Sequence, residues 1–481
     1  MTYITLHFYI FVAVVLAVYY ILPLQLRWIA LLCGSAGFYC WLSPEGFPVF
    51  LTTLLISYAG AIIVQRLREK YMRRAKYVLA ALLCLVLLPL LVSKNGNFVL
   101  TSWLHRPAVP FIVPLGISFY TMQLVAYLVD VYEGRVQPER NLFKYALFIA
   151  FFPQIVQGPI PRYKQLRDQL VRGNRFDDQG FTKGALLILW GFFLKLMIAD
   201  KTSVIVNTIF NNSDIYQGMY ALIGGMLYSV QLYADFLACV TLSQGVAALF
   251  GIQLIDNFQH PYGATSVSEF WRRWHVSLSS WLRDYVYIPL GGNRHGRLIK
   301  WRNLTLTFVI SGIWHGAGYR FLFWGLMHAA YQIASEITFS IRERLYTLLR
   351  MPNGDLTRRI IKTAGTYFWV TLAWIVFRAN TLREGLRMIV SIFRVFNPWI
   401  LFNDALFKLG LSWKECMILL GSIGILGIVS VVQQHIHVRN WVLRQHVLFR
   451  WTVYICAICL IWVFGTYGYG FSAQDFIYGG F

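Results

Sequence analysis

Eight ionisable side chains lie within or beside strongly apolar runs: Asp130, Lys195, Asp200, Asp235, His275, His315, His328 and Glu336. A charge at membrane depth is costly unless it faces protein or a wet cavity, so residues of this kind are the first candidates for moving a proton or a chemical group. Histidine is the most versatile of them. Its imidazole titrates at about 6.5 and can act as general base toward a hydroxyl or as a link in a proton relay. His315 is the sharpest candidate, because it closes the apolar run Leu304 to Trp314 and stands directly before Gly316-Ala317-Gly318. A helix must break there and leave backbone groups in need of other partners. His328 lies in the unbroken apolar segment Phe321 to Ile333 and is expected to pack structurally. Lys195 and Asp200 are expected to cap or pair near a helix end, and Asp235 to orient a partner.

The role of His275 depends on the stretch that carries it. From His260 to Arg302 the chain is rich in charge, Trp and Gly yet keeps helical amphipathicity. It is too polar to span a bilayer and too apolar for a solvated loop, so it belongs in the interface or re-enters the membrane. Ser266-Val267-Ser268-Glu269 has the spacing of a capping box, which predicts a helix from about Val267. On that helix Trp271, His275, Leu278 and Leu282 share one face, so His275 points with the apolar stripe while Arg272 and Arg283 lie elsewhere around it. The helix is expected to fail at Pro289, ahead of a flexible basic turn from Leu290 to Arg297.

These segments sit in a chain of 481 residues that is 57% hydrophobic and only 13% charged, outside the balance of a water-soluble domain. Apolar runs near the length of about 20 residues needed to cross a bilayer recur throughout, for example Ile4 to Leu22, Phe47 to Val64, Tyr77 to Val92, Phe111 to Val129 and Met417 to Val432. The expectation is an all-α polytopic membrane protein with roughly 10 to 13 spanning or re-entrant helices, since lipid offers the backbone no hydrogen-bond partners. A formal charge of +22 would suggest nucleic acid in a soluble protein. Here the basic residues form blocks between apolar runs, as at Arg66 to Lys76, which marks cytoplasmic loops beside anionic lipid and places the N-terminus outside. No cationic leader with a small-residue cleavage site precedes the first run, which reads as a retained anchor. Cys456 and Cys459 have the spacing of a metal or redox pair, but no second pair or nearby His completes a tetrahedral site, so packing is the expectation and no metal is assigned. No internal duplication is evident. One continuous membrane domain is expected, with an N-terminal bundle at 1–141, a catalytic core at 142–335 and C-terminal helices at 336–481.

Taken in order, Glu269-Phe270-Trp271-Arg272-Arg273-Trp274-His275, then Trp281 to Arg294 with its Pro289-Leu290-Gly291-Gly292-Asn293, then Trp314-His315-Gly316-Ala317 resemble the membrane-bound O-acyltransferase family. The similarity is greatest to its alginate O-acetyltransferase branch. Pro114 to Thr121, Asp130-Val131-Tyr132, Phe152 to Ile160 and Asn257 to Tyr262 extend the resemblance over roughly Phe111 to His328. It implies a ring of membrane helices around a thin tunnel, with His315 as the family's catalytic histidine and His275 as the second active-site histidine of the bacterial branch. Two departures stand out. Where the family follows the Asp of Tyr233-Ala234-Asp235 with a small, Gly-containing stretch, this chain has Phe236 to Leu242, and its ending, Phe476 to Phe481, differs from the aromatic ending expected.

The resemblance further implies transfer of an acetyl or other short acyl group from a cytoplasmic thioester toward an extracytoplasmic polysaccharide, through a separate extracytoplasmic acetyltransferase or esterase-like partner. The expected co-substrate is acetyl-CoA or another acyl thioester, with no bound cofactor, and the location a bacterial inner membrane. Arg272, Arg273 and Arg283 are candidates to attract the donor's phosphates, and Trp274, Trp314 and Asp235 to line or orient the passage. Two alternatives stay open: D-alanyl transfer from a carrier-protein thioester to teichoic acid, and a proton-coupled transporter using the buried His and Asp as a relay.

Overall fold

The computed structural model describes residues 3–467 and Phe476, which form helices and connecting turns without a β-strand. Among the described residues, seven helices are long and apolar enough to cross a membrane. Further apolar runs fold into helices of 16 or 17 residues, such as Leu6–Ile21 (α1) and Ile117–Glu133 (α5), as an all-α polytopic membrane protein requires. The chain divides into two compact units, one comprising 3–191 with Cys239–Asp256 and the other Phe192–Ala238 with 257–467 and Phe476. Of the unusual C-terminal ending, only Phe476 lies within the described residues.

The first unit holds α1, Arg27–Leu42 (α2), Phe47–Lys70 (α3), Met72–Ser102 (α4) and α5. The run expected to begin at Phe111 becomes helical only at Ile117. Pro110 and Pro114 have no N–H to give, and Gly116 turns the chain at φ +66° with Ile155 O where a Cβ would stand. α5 is then buried on nearly every face, which suits its apolar sequence. Asp130, near its end, pairs with the half-exposed Arg135. It is a helix-end ion pair and stands in a different unit from the histidines.

Two long helices run through both units: Asp178–Asn211 (α6) and Met219–Leu249 (α7). The second unit adds Val267–Arg273 (α8), Val276–Leu282 (α9), Arg297–His315 (α10), Tyr319–Ile337 (α11), Leu356–Arg378 (α12), Trp413–Val432 (α13) and Val447–Phe464 (α14). α10 and α11 form a hairpin broken where expected, at Gly316 to Gly318. Its helices approach until backbone meets backbone: a Cβ on Gly312 would lie 2.4 Å from Phe321 O, and one on Gly325 2.3 Å from Phe308 O. The turn before α10 is pinned, because the buried Asn303 amide donates to Leu290 O at 3.0 Å and to Gly292 O at 2.9 Å. Glu336, expected at membrane depth, is one-third exposed and pairs with Lys300 at 2.7 Å.

Candidate active site

The helix expected to continue from Val267 past His275 is two helices. α8 starts at Val267, with Ser266 Oγ accepting from Glu269 N as the capping pattern requires. It ends at Arg273, however, and His275 takes a left-handed backbone, φ +45°, as the residue before α9. The cause is a distant residue. Asn257 O accepts from Val276 N at 2.9 Å and Asn257 Oδ1 from Ser277 N at 3.0 Å, so the first donors of α9 are satisfied from outside the local sequence. That exchange makes the break stable where local propensity favours a continuous helix.

The same amide sets the chemistry of His275. Asn257 Oδ1 can only accept, and its identity as oxygen follows from the Ser277 N–H that points at it. His275 Nδ1, 3.2 Å away, therefore carries the proton in that bond, and Nε2 carries the lone pair. α8 and α9 have seven residues each and lie outside the seven spans. Burial pushes the His275 imidazole down to about 3, so it is neutral through the physiological range.

His315 ends α10, buried, with its ring 4.8 Å from Trp314, 5.0 Å from Trp324 and 5.4 Å from Phe377. The indole of Trp314 also lies 6.1 Å from the His275 ring. Both histidine rings thus lie near a single tryptophan. Phe236 covers His275 edge-on at 4.7 Å, and Trp274 sits in an aromatic cluster with Phe258, Phe270 and Trp374. Phe236 is the first residue of the stretch where the resemblance leads one to expect small residues. His328 accepts from Trp271 Nε1–H at its Nδ1, 3.2 Å away, which fixes its proton on Nε2 and gives it a structural anchor.

The remaining candidates divide by geometry. Asp235 and Asp200 both meet Lys195 in one buried cluster of the same unit. Arg272 is exposed, Arg273 is committed to Glu269, and Arg283 is largely exposed beside Asp284. Asn257, Phe236 and Trp324 were not singled out from sequence. Asn257 heads a recognisable motif, but the partner eighteen positions on is invisible to local patterning; Phe236 and Trp324 look like any apolar residue of a membrane helix.

Comparison with known proteins bears on the family. Residues 135–362 match the membrane-bound O-acyltransferase family model. The chain is 33% identical over 401 residues to "Probable alginate O-acetylase AlgI" of Azotobacter vinelandii, covering 82% of this chain and 78% of the relative. It is 31% identical over 391 residues to the peptidoglycan O-acetyltransferase of Helicobacter pylori, covering 75% and 72%. It is 32% identical over 256 residues to the teichoic acid D-alanyltransferase of Bacillus subtilis, covering 50% and 64%. With two buried histidines near one indole in an all-helical, multi-pass membrane chain, and relatives of this similarity over most of its length, the protein belongs to the membrane-bound O-acyltransferase family.

Proposed function

We propose that this protein transfers an acetyl group from a cytoplasmic thioester, acetyl-CoA, toward hydroxyls of an extracytoplasmic polysaccharide, with His315 and His275 as the reacting pair. The observation that carries this reading is the placement of two buried imidazoles near one indole, Trp314, with His275 held neutral and its Nδ1 proton directed at Asn257 Oδ1. In the reaction His315 takes the proton of the acceptor hydroxyl as its oxygen attacks the thioester carbonyl. The tetrahedral oxyanion collapses, the C–S bond breaks, and the thiolate recovers the proton from the imidazolium. His275 Nε2 accepts a hydrogen bond from a neighbouring hydroxyl of the acceptor and fixes the direction of attack. Donors for the oxyanion are expected among Ala317 and Gly318, since the N–H of Gly316 is already given to Gly312 O at 3.3 Å.

The acetyl-transferring relatives cover about four-fifths or three-quarters of this chain, the D-alanyl-transferring one half of it, which favours acetyl over D-alanyl transfer. The donor's phosphates dock at Arg272 and Arg283, exposed cations at the end of α8 and just past α9, with Arg273 adding to the charge. The chain lies in a bacterial inner membrane with its N-terminus outside, surrounded by lipid. It hands the acetyl group to an extracytoplasmic acetyltransferase or esterase-like partner that completes delivery to the polymer; nucleic acid has no part.

Purified protein in liposomes should release CoA from labelled acetyl-CoA in the presence of an acceptor, and His315→Ala should abolish release at undiminished membrane abundance. A variant that keeps parental turnover sinks the assignment. Turnover of a D-alanyl carrier thioester but not acetyl-CoA would move the activity to the teichoic-acid type.

A further inference from the structure

A buried cation between two carboxylates lies in the same unit as the histidine pair, one of its partners next in sequence to Phe236, and takes no part in the scheme above. Lys195 Nζ is 2.9 Å from Asp200 Oδ1 and 2.8 Å from Asp235 Oδ1, and all three side chains are about 98% buried. The ring of Phe476 covers the ammonium at 4.7 Å. In a regular helix Lys195 and Asp200, five residues apart, would point about 140° from each other. α6 avoids this by widening over Phe193–Ala199, where Asp200 N–H bonds to Lys195 O, an i to i+5 link. Such wide turns are rare and recur at functional sites.

The other carboxylate leads to the site. Asp235 lies on α7 between Tyr233, whose ring is 6.0 Å from Trp274, and Phe236, whose ring is 4.7 Å from His275. His275 itself holds a left-handed backbone that a residue with a Cβ keeps only where its surroundings hold it. A buried ion pair adds little net stability compared with apolar packing. What it adds is direction. A turn of α7 by about 20° about its axis would carry a ring on its surface by about 2 Å, and misplacement of about 1 Å near the chemistry can cost about a hundredfold in rate.

We propose that Lys195 is a positioning residue for acyl transfer: by anchoring Asp235 it fixes the rotation of α7 and so seats Phe236 and Tyr233 against His275 and Trp274. The proposal rests on His275 being one of the reacting pair. It is tested on the full-length protein in liposomes with a charge-free triple variant, Lys195→Met with Asp200→Asn and Asp235→Asn, which leaves no uncompensated charge and so keeps the fold accessible. Expected are parental membrane abundance, a KM for acetyl-CoA within about twofold, and a kcat lower by about tenfold or more. Asp200→Asn alone, which leaves the Lys195 to Asp235 contact in place, loses less than Asp235→Asn alone; equal losses overturn the proposal. A second readout needs no turnover: the rate at which diethyl pyrocarbonate modifies His275, followed by peptide mass spectrometry, rises several-fold in the triple variant while that of His328 does not. If His275 stays as protected as in the parent, Lys195 does not position it. Should the parent consume no thioester, the acyl-transfer reading fails, and the His275 modification rate alone decides the role of Lys195.

Discussion

At the scale of single residues, Asn257 carries more than its type suggests. One side-chain oxygen caps α9 and assigns the tautomer of His275, so Asn257→Ala should cost about 1 to 2 kcal/mol of stability, the usual cost of a lost cap. It should also lower kcat by about tenfold or more, because the imidazole is then free to turn. Thermal unfolding and initial rates on the same preparation read both effects. His275 makes a second expectation. Its folded value is about 3 and an unfolded histidine titrates at about 6.5, so between these limits the unfolded chain binds the proton and the folded one does not. Stability is therefore lost as pH falls through that window, and His275→Asn should flatten the decline in melting temperature between about pH 6.5 and 4.5. An unchanged slope would show that His275 is not buried neutral. At this scale the sequence spoke clearly about His315, whose place before a glycine break is a local fact, and less clearly about His275, whose conformation is imposed by a residue eighteen positions earlier.

At the scale of elements, the α10–α11 hairpin is legible because glycines and apolar runs mark it, and the structure shows what those glycines are for. Gly312 lets α10 meet the carbonyl of Phe321, so Gly312→Ala should overpack the hairpin and destabilise the protein by about 1 to 3 kcal/mol, seen as a lower melting temperature in detergent. Gly421, on α13, has open space around its Cβ position and serves as the matched control. The amphipathic reading of Val267 to Leu282 found the right start and the wrong continuation. Periodicity reports which residues share a face if a helix persists; it is silent about a remote amide that makes interruption cheaper than persistence. The widened turn of α6 escaped for the same reason, since its stabilising partner, Asp235, lies forty residues further on.

For the whole molecule, composition fixed the solvent before any motif was read, and the seven long apolar helices agree. Exposed Leu420, Ile428, Ile455 and Trp462 on α13 and α14 face outward, as lipid-facing positions should. Cys456 and Cys459 are exposed on α14 too, so in intact membranes they should resist a charged, water-soluble maleimide and react only after detergent is added, with mass shift as the readout. Rapid labelling without detergent would remove α14 from the membrane. Composition could not say where charge is kept inside that solvent, and the answer lies in the widened stretch of α6. Because that stretch holds a residue more than a regular helix of the same rise, removing one residue between Lys195 and Asp200 would let α6 return to ordinary winding and leave those two four apart, about 40° from each other around the axis. The widened stretch is thus slack wound into the helix: a single codon can be lost from it while the lysine and the carboxylate keep a common face, so descendants of this gene should tolerate a change of length here sooner than elsewhere along α6.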